Sequence, residues 1–136
     1  MTPRPTADVR RLAFERARGR CEYCLLHQDI AAAAHQVDHI TAEKHGGETE
    51  LDNLALSCVV CNRRKGSDLS SIDPRDGAAV RLFHPREDVW EEHFRVEESR
   101  IEGLTPAGRA TAELLRLNAF ERVLERSELI RAGRFP

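Results

Sequence analysis

A chain of 136 residues is the size of one domain with a modest core. Hydrophobic residues make up 40% and charged residues 32%, an ordinary globular balance, and no apolar run approaches the ~20 residues of a membrane span. The net charge of −2 excludes a uniformly basic nucleic-acid binder, but a polyanion senses the local field, and that field is uneven.

Residues 1–20 hold six arginines (Arg4, Arg10, Arg11, Arg16, Arg18 and Arg20), Arg63, Arg64 and Lys65 form a second basic cluster, and residues 86–102 are acidic. The opening residues lack the apolar centre of a signal peptide, so the expected location is the cytoplasm. Thr6 can cap a helix whose apolar positions Val9, Leu12, Ala13 and Ala17 recur at helical spacing, with Gly19 as its stop. This first element spans 6–19 and shows its arginines to one side.

Cys21 and Cys24 form a tight knuckle, after which Ala31–Ala34 reads as either a helical turn or a loop. Gln36–Thr41 alternates like a short strand, residues 43–52 read as loop around Gly46-Gly47, and Leu54–Ser57 reads as a second strand. Cys61 opens a short helix that runs to about Lys65 and ends at Gly66. Beyond it, residues 72–77 read as a turn and 78–83 as a strand, with 92–96 and 100–104 as a hairpin. Thr105 and Pro106 start a penultimate helix with Ala107, Ala110, Leu114 and Leu117 on one face. Asn118 with Glu121 forms the capping box of the last helix, and Phe120, Val123, Leu124 and Ile130 are its expected buried stripe.

Cys21-x-x-Cys24 and Cys58-x-x-Cys61 are separated by 33 residues. In a chain expected in a reducing compartment, paired knuckles point to metal rather than disulfides. Four thiolates make a closed tetrahedral zinc site, which is structural because no position is left for water. The long spacer must carry structure of its own, and it holds Asp38-His39.

The order Cys-x-x-Cys, Asp38-His39-Ile40, Gly46-Gly47, Asn53-Leu54, Cys-x-x-Cys-Asn62-x-x-Lys65 resembles the HNH endonucleases, in their zinc-stapled subgroup, over about residues 20–68. The resemblance implies an α+β fold with a ββα-metal, treble-clef-like core, an N-terminal helix, and a C-terminal strand and helix extension at 69–136, all in a single domain. It also implies metal-dependent hydrolysis of nucleic-acid phosphodiesters. Carried over, His39 is the general base, Asp38 and Asn62 hold the catalytic cation, and Asn53 fixes the loop between the strands through side-chain hydrogen bonds. Neutral imidazole suits a base near neutral pH. Carboxylate and amide oxygens suit magnesium or manganese better than zinc. Asp38 and His39 are neighbours, which face opposite sides of a regular strand. Either a bulge lies there or the reacting phosphate sits at the strand's end.

Arg63, Arg64 and Lys65 follow Asn62 and are expected to contact DNA phosphates. His35 and His45 read first as loop histidines with a possible place near the metal or substrate, His84 and His93 first as strand-end and packing residues with a rival place near the site or on DNA, and His27 is the weakest candidate. The expected partners are DNA and two kinds of metal, with no membrane and no organic cofactor; oligomeric state is not legible. The rivals are a zinc-stapled module that binds nucleic acid without cutting it and a zinc domain that binds other proteins.

Overall fold

The computed structural model describes residues 4–136. The chain divides into two compact units, Met1–Ser67 and Asp68–Pro136. Among the described residues, no helix is long and apolar enough to cross a membrane. The content of the described residues is mixed α and β, with three separate two-stranded antiparallel sheets among them.

In the first unit, α1 (Ala7–Arg16) starts where the Thr6 hydroxyl accepts the Val9 amide. It ends in a six-residue closure: the Arg18 amide donates to Glu15 O and the Gly19 amide to Phe14 O. The left-handed position is Arg18, φ 55°, followed by Gly19 at 72°, so the stop expected at Gly19 begins one residue earlier on a side chain that disfavours it. Ala13 is the fully buried point of α1.

The Cys21 knuckle is a small hairpin closed by the Arg20–His27 bridge and by Cys21 N donating to Leu26 O at 2.9 Å. A single 3₁₀ turn at Gln28–Ile30 follows, with the His27 ring accepting from the Asp29 amide; Ala31–Ala34 has no helix. Strand β1 (Gln36–His39) pairs with β2 (Leu54–Ser57), and all of β2 is buried. The 41–53 connection contains two 3₁₀ turns, Glu43–His45 and Leu51–Asn53. Helix α2 (Val59–Lys65) begins two residues before the expected Cys61, because the Cys58 sulfur caps it by accepting the Cys61 amide.

The second unit opens with the hairpin β3 (Ser70–Ile72) and β4 (Ala79–Arg81), then α3 (Trp90–His93), which leads into the hairpin β5 (Phe94–Glu97) and β6 (Arg100–Gly103). Glu98 and Ser99, φ 47° and 69°, make the β5–β6 turn; two positive φ values match the strands' twist. Helices α4 (Pro106–Leu114) and α5 (Phe120–Arg131) finish the chain, and Thr105 caps α4 by accepting the Gly108 amide. Leu82, Phe83, Phe94, Ile101, Leu115 and Leu117 are the core, with Phe83 and Phe94 edge-on at 5.2 Å. Asp73, 1% exposed, takes a two-pronged ion pair from Arg109 at 3.0 and 2.8 Å.

Helix α5 corrects the sequence reading. The stripe expected to be buried faces outward: Phe120 is 81% exposed and Leu124 52%, while Arg122, Arg126 and Leu129 are the buried residues. The reason is hydrogen bonding. Arg126 donates to Ser99 O at 2.7 Å and Leu117 O at 2.9 Å, supplying carbonyls at the β5–β6 turn and the end of α4. Asn118 does not cap α5 either. Its amide pairs with both backbone groups of Ile101 at 2.8 Å, and Ala119 is the cap position without a side-chain bond. His84 and His93 are tied within this second unit, His84 Nδ1 accepting the Arg86 and Glu87 amides and His93 Nδ1 meeting the Thr105 hydroxyl.

Candidate active site

The four cysteines converge. Cys21, Cys24, Cys58 and Cys61 are buried, carry no disulfide, and hold their sulfurs within 4.8 Å of one another. The Cys24–Cys58 sulfur separation is 3.7 Å, close to the edge of about 3.8 Å of a tetrahedron whose metal–sulfur bonds are ~2.3 Å. Burial pushes the Cys21 thiol up, whereas contact with the Cys21 and Cys24 sulfurs drives Cys58 toward thiolate. Such a set of soft donors could hold a structural metal. The knuckle is also fastened to the sheet: Glu22 N donates to Leu56 O, and the Glu22 carboxylate accepts Leu56 N at 2.8 Å.

Strand β1 carries Asp38 and His39. Its register runs through four consecutive pairs, Gln36 with Ser57 to His39 with Leu54, without an extra residue. No bulge therefore brings the two side chains together. Instead His39 is the last residue of the strand, and both residues line one open cleft of about 1030 Å³ along with His35, Gln36 and Glu43. His39 Nε2 meets the Thr49 hydroxyl at 2.8 Å. Asn62, on α2, donates its amide nitrogen to the Gln36 amide oxygen, two residues before Asp38 on the same face of β1. Neither Thr49 nor Gln36 carried a spacing signal in the sequence.

The loop after His39 is pinned by Asn53. Its Oδ1 accepts Thr41 N at 2.9 Å, and its Nδ2 donates to Thr41 O at 3.0 Å and Glu48 O at 2.8 Å. Gly46 and Gly47 serve different needs here. Gly46 has φ 87° with open space around it, whereas a side chain at Gly47 would begin 1.7 Å from Thr41 O and 2.8 Å from Asn53 Nδ2. Arg16 of α1 donates to Leu51 O and Leu54 O at 2.9 and 2.7 Å, holding the far end of the same loop.

The basic cluster on α2 needs correcting. Lys65 is only 5% exposed and its ammonium donates to Ile40 O at 2.9 Å. A buried cation committed to a backbone carbonyl braces α2 against β1 and does not reach a phosphate. Arg63 is exposed and Arg64 half-buried. His35 is buried, with Nε2 donating to Leu26 O at 2.7 Å, and its Nδ1 has no hydrogen-bond partner among the described residues. His45 lies in an exposed 3₁₀ turn.

The HNH endonuclease family model matches residues 21–68, from the first cysteine to just past α2. The chain is 24% identical over 113 residues to Septu protein PtuB of Bacillus thuringiensis, covering 82% of this chain and 41% of that protein. It therefore spans less than half the length of that curated relative. No solved structure matches significantly. Residues 21–68 are an HNH endonuclease-family domain assembled on a buried cluster of four cysteines.

Proposed function

We propose that the chain is a metal-dependent endonuclease that hydrolyses DNA phosphodiester bonds, with zinc in the cysteine cluster and magnesium or manganese at Asp38 and Asn62. The observation that carries this reading is the shared cleft: Asp38 and His39 open into one space at the end of β1. His39 is the general base. Its Nε2 is engaged by Thr49, which leaves Nδ1 to take the proton from the attacking water. The Thr49 contact also fixes the ring's rotation, so Thr49 acts as a positioning residue.

The oxygen donors suit a hard divalent cation. Asp38 offers a carboxylate, and Asn62 keeps its amide oxygen free for a ligand role because its nitrogen is used on Gln36. When bound, such a cation neutralises charge on the phosphate and the leaving oxygen. Few protein ligands leave room for water and substrate around it. Asn53 holds the 41–53 loop and so fixes where β1 ends. Four reduced thiols in one cluster favour a cytoplasmic setting. Exposed Arg63 is the α2 residue left for a phosphate contact.

Purified protein should nick plasmid with magnesium or manganese, and His39→Ala should lower the rate by roughly 10²–10⁴. Equal cutting by wild type and His39→Ala removes His39 as the base. Binding without cleavage in either metal favours the module that holds DNA without cutting it.

A further inference from the structure

Among the described residues, the arginines that line the cleft come from α1 and the residues before it, not from α2: they are Arg4, Arg10 and Arg11. The lining also includes the carboxylates of Asp38 and Glu43, which repel phosphate. Among the residues that line the cleft, three arginines stand against two carboxylates, in a chain whose net charge is −2. A polyanion is drawn to this face rather than to the molecule as a whole.

The arginine wall is also firmly placed. Ala13 is fully buried, Thr6 caps the helix, and Arg16 ties it to the carbonyls of Leu51 and Leu54. Positions 10, 11 and 14 share a helix face, and Phe14 lines the cleft beside the two arginines. Arg11 meets Asp8 at 3.7 Å and Glu15 at 3.4 Å, but all three side chains are more than half exposed, so these ion pairs are readily exchanged for phosphate. With a single half-buried phenylalanine and no other aromatic ring on that wall, the recognition is of backbone charge and not of bases.

We propose that α1 is the phosphate-binding wall of the cleft, with Arg4, Arg10 and Arg11 holding the DNA backbone opposite Asp38 and His39. It rests on the nuclease reading for its substrate, and it moves the principal basic contact away from the α2 cluster.

The test is fluorescence anisotropy of a labelled DNA duplex with the full chain across a salt series, without magnesium or manganese and without chelator. Arg10→Ala with Arg11→Ala should make the plot of log affinity against log salt shallower by about 2 and weaken binding on the order of tenfold at moderate salt. Arg10→Lys with Arg11→Lys should retain most of the slope, since the charge remains. Circular dichroism should show α1 intact in both variants. An unchanged slope in the folded double-alanine variant overturns the proposal, as does a wild type that binds no duplex. Wild type that binds with the expected arginine dependence but cuts nothing supports the wall and defeats the nuclease reading; cutting with no arginine dependence does the reverse.

Discussion

The two units of this chain reach order by different means. Met1–Ser67 has short strands of four residues, a seven-residue α2, and polar ties from Asn53, Arg16 and Lys65, all grouped around four cysteines. Asp68–Pro136 instead packs Phe83, Phe94, Ile101, Leu115 and Leu117 in a core with a buried ion pair. The first arrangement places polar chemistry at the surface without a large apolar core, around a cysteine cluster that could hold a metal. The second holds no such cluster among its described residues.

The sharpest way to break this contrast is to remove a sulfur. Cys58→Ser should unfold the first unit, since structural zinc contributes on the order of 10 kcal/mol at such sites. Hydrogen exchange should then show residues 4–67 unprotected while β5, β6 and α4 keep their protection. A folded, metal-free Cys58→Ser protein defeats the structural reading. The reciprocal change is Phe94→Ala, which should destabilise the second unit by about 3–5 kcal/mol. Denaturant melts should register that loss while the metal content, measured by thiol-reactive release, stays at the wild-type level.

Next in size is Asn53→Ala. It removes three hydrogen bonds from the 41–53 loop, a loss of about 1–3 kcal/mol, and cleavage should fall while zinc is retained. Undiminished cleavage would separate Asn53 from the site.

Smaller still is an acid effect confined to the second unit. The Arg109 guanidinium holds the Asp73 carboxyl below its ordinary range. A depressed pKa contributes stability above the unfolded value of about 3.9, and that stability is lost as pH falls through the folded value. Thermal melts should therefore weaken below about pH 4, and Asp73→Asn should be less stable at neutral pH but lose less on acidification. The smallest expected effect is Leu124→Lys on the outer face of α5, within about 0.5 kcal/mol. A loss of several kcal/mol there would mean that the stripe is covered.

The sequence revealed the parts whose chemistry restricts residue type. Two Cys-x-x-Cys pairs have few other uses, and their four sulfurs do converge; β1, β2 and α2 followed from the same stretch. Orientation was harder. The periodicity of α5 marks an apolar face correctly but does not say which side the neighbouring elements need. There the bare carbonyls of Ser99 and Leu117 attracted Arg126 and turned the stripe outward. Lys65 misled in the same way, because a lysine in a basic run reads as solvated until a carbonyl such as Ile40 O is found behind it. Thr49 and Gln36, which touch His39 and Asn62, are common residue types at unremarkable spacing. Only the folded chain brings them to those side chains.

The adjacent glycines of the loop have a consequence for chirality. At position 46 the backbone turns the way a mirror-image amino acid prefers, and a natural side chain would meet nothing within 4 Å, so torsional strain alone opposes it. At position 47 the obstacle is a backbone oxygen where the first carbon of any natural side chain would lie. One of the pair resists a natural residue by its handed torsion; the other resists it by collision.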